Sequence, residues 1–568
     1  MSRGARAFAA LLVAAALPAQ ERTIVHGKDA VVVRATPYHG SPVSGGFGFL
    51  VVAVENREAA PHRVVVDLAT PQWAQQSNIA VRRELALGPN ETGRCVLPLP
   101  TSADRSLALD LTVDDTSYPG SIGGRTDSVV ALLVGRPELE PWAGTVLQAW
   151  VRAPRATTEV TVAPPDDLPR DWRWLTGFHV VVVDGKSAIG EDVQATLCDL
   201  ASAGGTVVVA DVDRLPPGAL RTRCGDRHRG VVPLGIGRCV LATPTGDQGH
   251  LHDALAQLPQ TELAGWPLAD SLQRLLVVPG LGEAPVLLFL LVVLAFAVVV
   301  GPVNFVLLRR WKRPLLVLVT VPACGLCTTV AMLLFGLLHD GLGVRGAVRS
   351  WSRIDQDRHE AQSLVQATLF AGLSPDVLAL QPDAVLIAPR ASWRRDRRAT
   401  DRWQFDPVAN VLDGGVLPAR EATPLVSARH GTARQRLRAR LVGERVELLT
   451  DGGVVPVGPV LLRDPDGRYW LGEAPALLPV AADAARQALE RWQREAGAVE
   501  LRDDDGAVEL ASAHHVVERL LPGGELPPGG YVARVAAAPW LDDHGLQVDW
   551  DRADHFLAGT FAAEDFLR

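Results

Sequence analysis

Lysine is nearly absent from this 568-residue chain: Lys28, Lys186 and Lys312 are its only examples, and arginine carries the rest of the positive charge. The formal net charge is −8, with both signs interspersed. That pattern argues against a nucleic-acid partner, because such binders gather basic residues on one face. Cysteine is sparse too, and the residues at 95, 198, 224, 239, 324 and 327 make no disulfide framework. Cys324 and Cys327 form a C-x-x-C inside an apolar run, where packing of two small side chains is expected rather than redox chemistry. Cys224 and Cys239 can close a modest loop in an oxidising compartment, although spacing alone does not establish contact.

Charge is missing altogether from two long stretches. Residues 286–308 and 314–338 each exceed the about 20 apolar residues a helix needs to cross a bilayer, and neither contains Asp, Glu, Lys, Arg or His. The loop between them carries Arg309, Arg310, Lys312 and Arg313, which the positive-inside rule places in the cytoplasm. A membrane hairpin is therefore expected, with residues before 283 and after 339 on the extracytoplasmic side. Gly301 and Pro302 should kink the first span. Asn304, one turn from the arginines, is expected to satisfy backbone freed by Pro302 or to bond the second helix. Two helices without an ionisable pathway argue against a transporter or proton channel acting alone.

The amino terminus agrees with this orientation. Arg3 and Arg6 precede an apolar run over 7–17 and small residues up to Ala19, the layout of a secretory signal. Cleavage could follow Ala14-Ala15-Ala16 or Leu17-Pro18-Ala19, and an uncleaved signal would add a third membrane segment.

Between the signal and the hairpin the hydrophobic period changes once. Runs at 47–54, 63–68, 79–87, 95–99, 107–113 and 128–134, separated by turn residues, predict an antiparallel sandwich over 21–165. The pieces FLVVAVEN and HRVVVDL resemble immunoglobulin-like modules of exported bacterial proteins. After Pro165 the continuous apolar run 178–184, a helix over 190–203 closed by Gly204-Gly205, and the strand 206–210 predict a βαβ unit. A shorter strand at 239–241 completes a small α/β domain over 166–282, with helical connectors at 251–258 and 272–277.

Open α/β sheets bind ligands at the carboxyl ends of their strands. Here that edge carries Asp184, Lys186 and Ser187, then Asp211 and Asp213. The carboxylates could hold a divalent cation, or all five residues could be turn and cap residues. The run Asp184-Gly-Lys-Ser-Ala lacks the two serines of a von Willebrand-type metal site. His250 with His252, and Cys224 with Asp226 and His228, each offer too few ligands for a metal centre.

The pattern of strand-Asp, helix ending in Ala-Gly-Gly, then strand over 172–243 resembles the glutamine amidotransferase-like domains of bacterial membrane proteins. Catalytic members hold a cysteine on a tight strand-to-helix turn. No such elbow occurs here, and Cys198 falls inside the helix, so the resemblance implies fold and not amidotransferase activity. Past the hairpin, short strands at 384–388, 437–442, 445–450, 460–463 and 469–473 predict a β-rich domain over 339–568. A helix over 481–496 with Leu489, Trp492 and Ala496 on one face should cover it. The basic run 390–403 and His514-His515 are read as solvated. Asp542, Asp543 and His544 are adjacent in sequence, which does not favour a shared site.

The stretch GPVNFVLLRRWKRPLLVLVTVP, ending at Pro322, and the later motif Pro527-Pro528-Gly-Gly-Tyr-Val resemble a group of uncharacterised bacterial membrane proteins with the same domain order. That group implies architecture and no activity. The expected whole is a multidomain α/β plus all-β protein of the bacterial inner membrane, non-enzymatic and without cofactor or metal. Its expected partners are the lipid bilayer and an envelope protein, with no nucleic acid. Two alternatives stand beside it: a ligand- or metal-binding enzyme or sensor using Asp184, Ser187 and Asp211, and an accessory subunit of a transporter.

Overall fold

The computed structural model describes residues 22–567 except 27–29, 42–45, 70–77, 101–105, 124–127, 151–156, 211–214, 226–229, 243–274, 279–285, 312–313, 388–401, 414–416, 450–452, 503–507, 522–523, 539 and 542–544. The signal region, His250, His252, Asp226, His228 and the Asp542 to His544 turn fall outside the described residues, as does most of the basic run. Strand dominates, and helices are few. A β-rich multidomain protein is the result.

The first sheet is antiparallel and contains Arg22–His26, Val31–Tyr38, Phe47–Asn56 and Thr92–Pro100. A second contains His62–Ala69, Asn78–Leu87 and Ser106–Val113. Phe49, Leu50, Leu68, Leu97, Leu109 and Leu111 are buried in a shared core. The second sheet does not end where the amino-terminal half ends. Arg402–Asp406 pairs in parallel with Asn78–Leu87, and Val411–Asp413 and Val377–Ala379 extend the sheet further. Three strands of residues 339–568 thus cover an edge whose backbone groups would otherwise lie unpaired.

Ser128–Val134, expected in the sandwich, belongs instead to the α/β sheet. It lies between Thr157–Ala163 and Val180–Asp184 and is parallel to both. Thr206–Ala210, Gly237–Ala242 and the antiparallel Gly230–Leu234 complete the order. Residues 129–134 are all buried, and their sequence has no alternation, as a strand covered on both faces requires. The α/β unit therefore starts some forty residues before the change of period at Pro165 suggests.

The largest sheet has twelve strands and is organised by Glu360–Ala371. That strand pairs along its whole length with Val344–Asp355, and on its other side with Ala422–Thr432. Helix Ala482–Gly497 buries Ala485, Leu489, Trp492 and Ala496, and Trp492 Nε1 donates to Ala533 O at 3.2 Å. Leu275–Leu276 is a short strand on Ala498–Arg502 rather than part of a helix. Its Leu276 N–H is taken by Thr368 Oγ1 at 2.7 Å, leaving it unavailable for helix bonding.

The apolar segment comprises helix Val286–Val298, a π-turn Val299–Val303, helix Asn304–Arg310 and helix Val317–Asp340. Leu290–Arg310 is one helix long and apolar enough to cross a membrane, and Val317–Met332 is a shorter apolar stretch. Leu290, Leu294, Phe305, Val306, Leu318, Val319 and Leu326 all expose their side chains. Chain departure and return are close together: Leu276 bonds Thr368, and Val344 pairs with Ala371, three residues along the same strand and about 10 Å away.

Contacts between the two soluble halves are polar as well as apolar. Arg519 Nη1 donates to Gly204 O at 2.7 Å, and Arg353 Nη1 donates to Gly235 O at 2.9 Å. Arg223 pairs with Glu360, and His430 Nε2 lies 3.2 Å from Asp199 Oδ1. At the other junction Phe405 stacks on Phe47 with ring centres 5.7 Å apart and meets Trp174 edge-on at 5.9 Å.

Two outcomes follow from this packing. Phe405→Ala should cost about 3–5 kcal/mol, read as a lower denaturant midpoint, with protease sites opening in both halves. Acid should weaken the fold well before carboxylates titrate. Burial lowers His179 and His555 from 6.5 to about 4, so the unfolded chain takes up protons first as pH falls. Stability contributed by each neutral ring is full above about pH 6.5 and declines by ~3 kcal/mol down to pH 4. His179→Gln with His555→Gln should flatten that limb in a pH series of unfolding curves.

Candidate functional site

The α/β sheet reverses its winding between Ser128–Val134 and Val180–Asp184. From Ser128–Val134 the chain moves to one side, to Thr157–Ala163, and then crosses to the other. Ligand crevices of open α/β sheets form at that point, outside the carboxyl ends of the strands. Asp184 ends one strand there. Gly135 and Arg136 follow the other.

Asp184 is fully buried, and its carboxylate is completely used. Arg136 Nε donates to Oδ2 at 2.6 Å and Nη2 to Oδ1 at 2.8 Å, a bidentate pair. Ser187 Oγ donates to Oδ2 at 2.6 Å, and Lys186 N donates to Oδ1 at 3.1 Å. A carboxylate offers about four lone-pair sites, and four donors occupy them. Burial alone would raise the Asp184 pKa; Arg136, Ser187 and the Lys186 amide together outweigh it and hold the group at about 2.

Gly135 makes this closure possible. Its φ of +121° is open to glycine, and a Cβ there would stand 2.6 Å from Asp184 Cβ and 2.7 Å from Ser187 Oγ. Arg136 then begins the turn into Pro137–Leu139, which leads into helix Glu140–Trp150. Sequence reasoning missed Arg136 because it placed the preceding strand in the sandwich. The signal was present as an apolar run followed by Gly-Arg-Pro.

The chemistry of this arrangement is restricted. A carboxylate held at about 2 is too weak a base to activate Ser187 at neutral pH, and Ser187 already donates its proton to it. A divalent cation on Asp184 would have to displace a guanidinium. Lys186 is exposed, and Arg136 is 45% exposed, so among the described residues the crevice presents two cations outward. Asp211 and Asp213 lie outside the described residues.

The hairpin residues are placed as follows. Gly301 and Pro302 lie in the π-turn, where the missing Pro302 N–H widens the helix rather than breaking it. Asn304 is buried just after it, and its Nδ2 has no hydrogen-bond partner among the described residues; Thr320 Oγ1 on the next helix is in the same condition. Arg309 and Arg310 occupy the exposed last turn of Asn304–Arg310, and Pro322 is exposed within Val317–Asp340. Lys312 and Arg313 lie outside the described residues.

No family model matches the sequence, and no curated protein matches it either. Among solved structures, a Paenibacillus sp. cycloisomaltooligosaccharide glucanotransferase complexed with cycloisomaltoheptaose is similar over 31% of this chain and 27% of its own, at 10% identity and a TM-score of 0.13. A likeness that slight carries no argument about fold or activity.

The Asp184 ion pair has a measurable signature. Its folded pKa lies below the ordinary 3.8, so its contribution of about 2 kcal/mol is present above pH 4 and is lost as pH falls towards 2. Asp184→Asn should remove that acid limb and cost the same amount at neutral pH, read by unfolding curves at several pH values.

Proposed function

We propose that this chain is a non-enzymatic, membrane-anchored binding or assembly component of a complex in the bacterial envelope, held in the inner membrane with both large parts outside the cytoplasm. One observation carries the reading. The apolar hairpin leaves and rejoins the soluble body at Thr368 and Ala371 of one strand, so its two ends lie on the same side of any membrane it enters. That geometry supports an even number of crossings. Exposed Leu and Val along both helices suit hydrocarbon, and Arg309 and Arg310 at the turn suit the cytoplasmic face.

Among the described residues the switch point carries no free nucleophile or base, which supports a binding role. Within this reading the amino-terminal sheets are an immunoglobulin-like sandwich and the parallel sheet is an amidotransferase-like domain without a catalytic cysteine elbow. The group of membrane proteins with the Gly-Pro-x-Asn hairpin remains the proposed kin. The partner is an envelope protein docking on the rigid outer body or along the hairpin. A transporter accessory role differs only in using Gly301 and Asn304 as the docking surface. A metal-dependent sensor is disfavoured by the commitment of Asp184 to Arg136.

The scarcity of lysine provides the test. A membrane-impermeant amine reagent applied to spheroplasts should modify exposed Lys186 and leave Lys312 untouched until the membrane is opened. Modification of Lys312 in intact spheroplasts, with Lys186 protected, would reverse the topology and defeat the proposal.

A further inference from the structure

Three thiols that play no part in the switch-point cluster meet in the packed layer beside the parallel sheet. Cys198 lies in helix Glu191–Ala203, Cys224 ends helix Ala219–Cys224, and Cys239 lies in strand Gly237–Ala242. All three are buried in one apolar cluster. The Cys224 and Cys239 thiols are hydrogen-bonded to each other, and Cys198 is close enough to interact with Cys224. A metal does not explain the group, because among the described residues no three Cys, His, Asp or Glu side chains are placed to hold an ion.

We propose that Cys224 and Cys239 are joined by a disulfide in the exported protein while Cys198 remains a thiol. The inference rests on the extracytoplasmic reading of this domain, since disulfides persist in oxidising compartments and not in the cytoplasm. Cys224 and Cys239 are the pair already in thiol-to-thiol contact. The bond would tie the short helix Ala219–Cys224 to the interior strand Gly237–Ala242. Arg223, one residue before Cys224, is paired with Glu360 of the other half, so the same bond would brace a contact between halves.

The chemistry balances with an external disulfide as oxidant. One thiolate attacks a sulfur of that disulfide, forming a mixed disulfide and expelling a thiolate. The second cysteine thiolate then attacks the mixed disulfide and expels the other. Two protein thiols become one S–S bond, and the oxidant leaves as two thiols. Oxidation belongs to folding rather than to the finished fold. Burial pushes Cys198 up to about 12, and the hydrogen bond with Cys224 together with burial raises Cys239, so the attacking thiolate becomes scarce once the helix docks.

Trypsin separates the three residues cleanly: Cys198 falls in peptide 187–214, Cys224 in 224–227 and Cys239 in 239–274. Full-length protein should be extracted from membranes in detergent with excess N-ethylmaleimide, denatured with the reagent present, digested and mass-mapped without reductant. The expected product is 224–227 linked to 239–274, two hydrogens lighter than the separate peptides, with Cys198 alkylated. Three alkylated thiols would overturn the proposal, as would a link involving Cys198. Cys198→Ala should preserve the link, and Cys239→Ser should leave Cys224 alkylated. The two readings fail separately. Labelled Lys186 with three free thiols removes the disulfide and keeps export; a linked pair with Lys186 protected does the reverse.

Discussion

A chain that runs into a long apolar hairpin has to return to the place it left, and the strand Glu360–Ala371 is where that constraint is met. Leu276 reaches it through Thr368 before the hairpin, and Val344–Asp355 zips along it afterwards. Ala422–Thr432 completes it on the other side, and Glu360 at its start holds Arg223 of the α/β unit. Moving this strand would separate the hairpin ends, open the largest sheet and release the α/β unit together.

Besides the Arg223–Glu360 pair and the His430–Asp199 contact, the docking of the two halves uses buried cations that face carbonyl groups. Arg519 and Arg353 reach Gly204 O and Gly235 O at the amino edge of the parallel strands, opposite the edge that carries Asp184. Burial lowers the pKa of both guanidinium groups, Arg519 to about 9, yet leaves them charged at neutral pH. Gly204 also closes helix Glu191–Ala203, whose carboxyl end bears partial negative charge. The arrangement holds one edge of the sheet closed and leaves the other facing outward.

Local pattern made some elements readable and hid others. Val180–Asp184, the helix Glu191–Ala203 and the helix Ala482–Gly497 lie within a residue or two of the boundaries their periodicity predicts. Ser128–Val134 is just as apolar, but the turn-separated runs before it drew it into the wrong sheet. That error concealed Arg136, which lies 48 residues before its partner Asp184 and has meaning only once the two strands are side by side. Asp184 itself was legible as a strand-end carboxylate. Its commitment to an ion pair was not.

By itself the sequence determined what depends on neighbouring residues: two apolar helices joined by a basic turn, a parallel-strand pattern with its carboxylate, and the turn residues between strands. Tertiary structure alone decided which distant segments are partners. Asn78–Leu87 takes Arg402–Asp406 across more than three hundred residues, and Leu275–Leu276 takes Ala498–Arg502 across more than two hundred. Hydropathy and turn chemistry are local quantities, readable one window at a time. Strand pairing and side-chain closure are chosen by competition among all the edges and charges in the chain, and no single window contains the competitors.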